Sequence, residues 1–406
     1  MRILVHDYVG HAFTVQLSRR LAARGHDVLH VYCASFYSPR GVMQKQADDA
    51  DGLEIVGLDL GGTIPKTSFW RRFRMETAHG ELLANECRRF QPDVVLSANT
   101  PSIPQLRLAK YCGAHGIRHV FWVQDIYGLA AYRLLKRRLP LIGHAVGQYF
   151  LRMDRKSARL SDALIVITED FRPVFERWGI DPPRIHVLHN WSVLADLPVR
   201  PRENAWSREN GLLPGPRFIY SGTLAMKHNP ALLLELAQLL DERGDGELIV
   251  ISKDEGAVWL EQQAAARGLT SLRSLPYQPF ERLADVLGSG DVLVAILEPD
   301  AGAFSVPSKV LSYMCAGRCI LAAIPGENLA ARIIRENGAG RVVEPTDIVG
   351  FRRAAEELLD SPNLRAEYGV EARRFAEDHF DIEQISDRME QLLRTERTAA
   401  PRPIVA

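Results

Sequence analysis

Long apolar runs are missing from this chain. The longest uncharged stretches, residues 94–106 and 139–151, have 13 residues each and contain proline, whereas a bilayer-spanning helix needs about 20 apolar residues. The opening MRILVHDY meets His6 and Asp7 after a short apolar run. It reads as a buried first strand and not as a signal peptide. Cysteine is scarce: five are scattered at 33, 87, 112, 315 and 319, an odd number without CxxC spacing. That excludes a disulfide framework and a cysteine zinc site, and sets the expected location in a reducing cytoplasm. The first strand–helix turn, DYVGHAF, has a single glycine, Gly10. A GxGxxG fingerprint needs three, for the turn, the pyrophosphate approach and helix packing, so an NAD or FAD enzyme is disfavoured. No DxD-type metal site stands out; Asp48-Asp49-Ala50-Asp51 is a lone acidic run, and no metal or other cofactor is expected.

Net charge is also absent overall, with 50 Lys and Arg against 50 Asp and Glu. The balance hides an asymmetry. Residues 1–192 carry 26 basic against 18 acidic side chains, and residues 193–406 carry 24 against 32. Either the basic front half meets an anionic partner, or the halves attract each other across a cleft.

Present throughout is an alternation of β-branched runs and helical periods. Strands are expected at 2–7, 28–33, 53–58, 93–97, 119–124, 163–168 and 185–189, then at 217–222, 247–252, 272–275, 291–297, 319–324 and 341–344. They are apolar on both faces, as parallel strands under helices must be. The chain therefore reads as α/β, with two Rossmann-like doubly wound parallel sheets in series. The first domain is expected over 1–195 and the second over 205–377. Residues 198–216, rich in Pro, Gly and charge, read as a linker. The helical, charged tail can cross back, its 378–396 portion bracing the first domain. Ligands of such sheets sit at the carboxyl ends of the strands, so the natural site is a cleft that two such domains face.

Several residues cluster at those strand ends. Gly10 precedes a helix and can bring backbone N–H groups to a phosphate or sugar, or form a plain turn. His11 beside it can donate to a substrate oxygen or cap the helix. In IYSGTLAMKHNP, Gly222 and Thr223 end a strand and Lys227 follows. In EPDAGAFSVPSKV, Glu298 closes a strand, and Ser305, Ser308 and Lys309 lie where Pro307 opens a helix. A basic side chain is disfavoured at a helix N-terminus, so Lys309 calls for an explanation. With Lys227 it forms a candidate anion clamp for a diphosphate; a snorkelling surface lysine is the alternative. Asp125 follows the apolar run FWVQ, either as a carboxylate in the cleft or as a turn residue. His189-Asn190 reads as a hinge or cap.

These motifs resemble the family-4 retaining glycosyltransferases of GT-B fold. YSGTLAMKH is similar to that family's glycine-rich strand end with its phosphate-binding lysine. LRSLPYQPFERLADVLGSGDVLVAIL resembles the stretch whose backbone, here near Tyr277 and Gln278, holds the base. PSKVLSYMCAGRCILAA resembles the helix after the donor loop, and SDALIVITED and VLHNW fit the same family. The family's glutamate pair, eight positions apart, is replaced here by Phe304 and Ser312, which leaves Glu298 or Asp300 to take over a sugar contact. The PSK version is similar to a subgroup in bacterial surface-polysaccharide assembly, of fucosamine and colanic-acid type. The resemblance implies a nucleotide-sugar donor, UDP-linked, retention of configuration, and Asp125 orienting or deprotonating an acceptor hydroxyl.

Residues 132–160 carry eight Lys and Arg with one Asp, and FWRRFR at 69–74 adds three arginines among aromatics. Basic amphipathic segments bind anionic membrane surfaces, and no nucleic-acid motif accompanies them. A lipid-linked or other saccharide acceptor at the inner membrane face is therefore expected, with the protein cytoplasmic or peripheral. A UDP-sugar 2-epimerase on the same plan, or a catalytically silent membrane-bound binding protein, are the other readings.

Overall fold

Two all-parallel sheets organise the chain, and their strands are apolar on both faces because helices cover both. In β1 (Arg2–Asp7) Ile3, Leu4 and Val5 are fully enclosed, and β11 (Val292–Ile296) and β12 (Cys319–Ala323) are buried along their whole length. The computed structural model describes residues 1–36, 40–64, 68–138, 140–299, 302 and 306–395. The chain folds as two compact units: Met1–His189 together with the segment from Ile382 onward, and Asn190–Asp381.

The first unit has a seven-stranded sheet in the order β3-β2-β1-β4-β5-β6-β7. Its strands are β1, β2 (Asp27–Cys33), β3 (Leu53–Leu58), β4 (Val94–Ala98), β5 (Arg118–Val123), β6 (Ala163–Val166) and β7 (Ile185–Val187). The second has six strands in the order β10-β9-β8-β11-β12-β13. These comprise β8 (Arg217–Ser221), β9 (Glu247–Ile251), β10 (Leu272–Leu275), β11, β12 and β13 (Gly340–Val343). Each sheet grows outward in one direction and then restarts on the other side of its first strand. The order reverses between β1 and β4, and again between β8 and β11. At such a point the two connections leave in opposite directions and open a crevice beyond the strand ends.

The helices α1 (Ala12–Ala23), α2 (Phe69–Phe90) and α3 (Ser102–Ala114) cover the first sheet. The basic stretch becomes a helical hairpin of α4 (Tyr127–Arg138) and α5 (Pro140–Leu160). Glycines decide how closely its arms approach. A Cβ on Gly147 would lie 2.6 Å from Tyr132 Cα, and one on Gly143 would run into the Leu135 carbonyl.

Residues 198–216 are not a free linker. They hold a short helix, α7 (Ala205–Glu209), capped by Asn204, whose side chain accepts from Ser207 N–H. Trp206 is buried and its indole N–H donates to Gln278 Oε1 at 2.9 Å. Composition pointed to a linker because Pro and Gly are dense there, but one large aromatic supplied enough apolar area to anchor the segment. The tail forms two helices, α14 (Pro362–His379) in the second unit and α15 (Ile382–Arg394) in the first. In α15, Ile385, Met389, Leu392 and Leu393 are buried. Glu383, Asp387 and Glu390 pair with Arg24 at 2.8, 2.6 and 3.3 Å. Exposed pairs contribute about 0–1 kcal/mol each, so the apolar face does most of the holding.

Trp206→Ala is expected to destabilise the second unit by about 3–5 kcal/mol, read as a lower urea midpoint. An unmoved midpoint would show that 198–216 is only tethered.

Candidate functional site

The second unit's crevice is built around an ammonium with no hydrogen-bond partner among the described residues. β8 ends at Ser221, and Gly222 follows with φ +125°, a conformation in which a side chain is strained. A Cβ there would sit 3.5 Å from both Cε and Nζ of Lys309. Lys309 is the second residue of α11 (Ser308–Ala316), a helix whose first-turn N–H groups lack intrahelical acceptors. Its Nζ stands 3.6 Å from the centre of the Tyr220 ring, is buried, and has no hydrogen-bond partner among the described residues. Burial pulls its pKa down to about 7, against the opposing pull of Asp254. A snorkelling lysine would reach water, and this one does not. A cation–π contact offsets about 1–2 kcal/mol, while an unpaired buried charge costs more. An anionic ligand beside the α11 N-terminus removes the deficit.

The walls are fixed by hydroxyls. Tyr220 O–H donates to Thr223 O at 2.6 Å, and Tyr313 O–H reaches Val294 O at 3.2 Å and receives Ser221 N–H at 3.2 Å. Asp254, ahead of α9 (Glu255–Arg267), accepts from Tyr277 O–H at 2.5 Å and from Ser252 O–H at 3.3 Å. Gln278 Nε2 donates to Pro276 O at 2.8 Å. With its Oε1 on Trp206, the Gln278 side chain shapes its turn, and backbone is what it offers a ligand. Glu298 is half-buried just beyond β11, and Ser308 is exposed at the start of α11. Lys227 lies in the short 3-10 turn Met226–His228, and its side chain, like Asp300, Phe304 and Ser305, lies outside the described residues. Ser312 Oγ lies 3.1 Å from Ser192 Oγ. The sequence reading passed over Tyr220, Asp254 and Tyr313. Tyr220 and Tyr313 lie in apolar patterns that read as core, and Asp254 reads as an ordinary helix cap.

The first unit's crevice joins the ends of β1, β4 and β5. Gly10, with φ +84°, and His11 lead into α1. Asp7, fully buried, accepts from His11 N–H at 2.6 Å and from Thr14 O–H at 2.5 Å, and faces His11 Nδ1 at 3.2 Å. Burial alone would push the Asp7 carboxyl up and the His11 imidazole down. Their mutual attraction and hydrogen bonding reverse both, with Asp125 adding to the rise at His11. Asn99, left-handed at φ +48° just past β4, sets its carboxamide nitrogen Nδ2 3.1 Å from His11 Nδ1. Asp125 is half-buried beyond β5. Asp7 and Asn99 were not read from the sequence: an aspartate closing a strand and an Asn in SANT carry no signal without their neighbours.

Among the described residues no group of three or more His, Cys, Asp and Glu is placed to hold a metal, and no helix is long and apolar enough to cross a membrane.

Two crevices at switch points, one presenting a cation and one a carboxylate–imidazole pair, on twin Rossmann-like sheets with a returning helix, define the GT-B class. A family model described as a glycosyl transferase 4-like domain matches residues 10–191, and one described as glycosyl transferases group 1 matches residues 215–361. The chain belongs to this group 1 glycosyltransferase family. It is 26% identical over 288 residues to the Pseudomonas aeruginosa protein WbjE, described as a glycosyltransferase, covering 66% of each chain. It is 24% identical over 310 residues to WcaI of Escherichia coli K12, described as a colanic acid biosynthesis glycosyl transferase, covering 73% of each. The chain thus spans about two thirds to three quarters of these relatives. The solved structure of HepE from Anabaena in complex with UDP superposes with a TM-score of 0.69 at 14% identity, over 97% of this chain and 99% of that one.

A free Lys309 with pKa about 7 must be protonated to hold an anion. Nucleoside diphosphate binding should therefore take up a proton at alkaline pH. Affinity should weaken by up to about tenfold per pH unit above 7 and level off below it. Calorimetric titration with UDP from pH 6 to 9 reads this slope, and Lys309→Met should flatten it.

Proposed function

We propose that the protein is a retaining glycosyltransferase that moves a sugar from a UDP-linked donor to a lipid-linked saccharide in cell-surface polysaccharide synthesis. The observation that carries this reading is the buried Lys309 ammonium beside Gly222 and Tyr220, which has no hydrogen-bond partner among the described residues. A diphosphate supplies the missing negative charge, and the ammonium takes the part a divalent cation would otherwise play. In this reading the turn at Tyr277 and Gln278 offers backbone to the base, and Glu298 and Thr223 serve the sugar and the phosphate. HepE of Anabaena, solved with UDP, supports the choice of nucleotide, and the name of WcaI supports polysaccharide assembly.

In the transfer, the acceptor oxygen bonds to the sugar's anomeric carbon on the face from which the diphosphate departs. The bond from that carbon to the β-phosphate oxygen breaks, and UDP leaves with its electron pair. Lys309 stabilises the charge that develops on the leaving oxygen. Asp125 receives the acceptor's proton. No enzyme nucleophile is needed.

The acceptor side of this reading rests on the surface of the first unit. Trp70 is 75% exposed near the start of α2, and Leu141 and Ile142 are 88% and 69% exposed on α5. The rings of Phe69 and Phe150 meet at 6.3 Å, which sets the start of α2 against α5. Exposed Arg71, Arg74, Arg152, Arg155 and Lys156 accompany these apolar residues. Exposed apolar side chains among cations suit an anionic lipid surface, at about 1 kcal/mol per basic residue.

The test is donor consumption. UDP release from a UDP-sugar that depends on added membrane lipid extract is the expected result. An isomerised UDP-sugar would identify an epimerase instead, and no turnover a binding protein. Lys309→Ala should weaken UDP binding by about 2–3 kcal/mol, roughly 30- to 150-fold in Kd, and EDTA should leave it unchanged. Co-sedimentation with vesicles containing phosphatidylglycerol should be lost in Trp70→Ser/Ile142→Ser and should weaken as salt rises.

A further inference from the structure

Asp7 is a fully buried carboxylate whose contacts converge on one residue. Shaping the turn that leads into α1 requires only the bond from His11 N–H, at 2.6 Å. Asp7 in addition meets the His11 ring at Nδ1, 3.2 Å from Oδ2 and 3.3 Å from Oδ1. Thr14 O–H and Val9 N–H occupy the carboxylate's remaining directions, at 2.5 and 3.2 Å. The carboxylate is thereby held on both sides, and it cannot turn away from the imidazole. Asn99 Nδ2 stands 3.1 Å from the same nitrogen, in the left-handed region where its surroundings hold it; with Nδ1–H given to Asp7, the carboxamide bonds the ring only when its oxygen is turned to Nδ1. Asn99 is placed in turn by Tyr127, whose O–H reaches the Asn99 carbonyl at 3.4 Å. Every described contact of His11 is thus made through Nδ1, its backbone or its ring packing on Phe13. Nε2 is left for a ligand, on a side chain 30% exposed.

We propose that Asp7 is a positioning residue that fixes His11 with Nδ1–H toward the carboxylate and Nε2–H outward, so that His11 and Asp125 clamp one acceptor hydroxyl between them. The hydroxyl oxygen accepts from His11 Nε2–H while its own hydrogen is given to Asp125. This assignment rests on the reading of the first unit's crevice as the acceptor side. The groups facing His11 are Asp7 from β1, Thr14 from α1, Asn99 after β4 and Asp125 after β5. Two of them are carboxylates and, among the described residues, none is a cation, which favours the doubly protonated ring. The helix dipole at the start of α1 opposes a cation there, and the buried Asp7 charge outweighs it.

The experiment is histidine NMR titration beside acceptor kinetics, on the full-length protein. His11, assigned by its loss in His11→Gln, should titrate above the ordinary histidine range. In Asp7→Asn its pKa should fall by at least about one unit. The upper limb of the kcat/KM profile for acceptor should shift to lower pH by the same amount, with the Kd for UDP unchanged. His11→Phe should lower kcat/KM for acceptor by about 100-fold. Thr14→Val, which loosens Asp7 but keeps its charge, should lower Tm and move the His11 pKa far less than Asp7→Asn does. An unchanged His11 pKa in Asp7→Asn would overturn the proposal even if glycosyl transfer is established. A shifted pKa without any acceptor-dependent turnover would leave the Asp7–His11 pair standing and refute the acceptor clamp together with the function it serves.

Discussion

A parallel sheet covered on both faces leaves only its strand ends open, and this constraint governs where each unit can do chemistry. The helices needed to bury Ile3, Leu4 and Val5, or Val292 through Ile296, occupy both faces. Crossover connections then return over those faces. Only at the reversal of strand order do neighbouring loops part. In the first unit that reversal gathers His11, Asn99 and Asp125 from the loops after β1, β4 and β5. In the second it gathers Gly222 from the loop after β8 and Lys309 from the helix beyond β11.

The two crevices solve the problem of a buried charge in opposite ways. Asp7 is enclosed and satisfied: backbone, hydroxyl and imidazole donors surround it, and burial of the carboxylate is offset within the protein. Lys309 is enclosed and, among the described residues, has no hydrogen-bond partner; the Tyr220 ring and the attraction of Asp254 are what face it. A protein that kept Lys309 for stability alone would have paired it, as Arg217 is paired with Glu203 in the same unit. A deficit of this kind is what gives a ligand its selectivity for negative charge, because binding removes a cost already present in the free protein.

Much of the architecture was legible. Strand positions followed from apolar runs without alternation, and helix ends from Gly and Pro. All thirteen strands lie within a residue or two of where those runs placed them. The segment 198–216 was misread because composition averages over residues, and there a single tryptophan outweighed the turn formers around it. The helical tail was read as one stretch, yet it breaks at Phe380-Asp381 into helices that belong to different units. Periodicity reports that a face is apolar; it does not say which surface that face will meet.

The sequence by itself determined the two doubly wound sheets, the glycine that must follow β8, and the presence of a lysine in the first turn of α11. These depend on near neighbours: side-chain alternation, backbone freedom and helix polarity act within a few residues. Only the tertiary structure decided what the charges do. Lys309 loses water and meets Tyr220 across 89 positions of sequence, and His11 gains Asn99 across 88. Protonation depends on desolvation and on the sum of nearby charges. Both are set by segments that packing alone brings together.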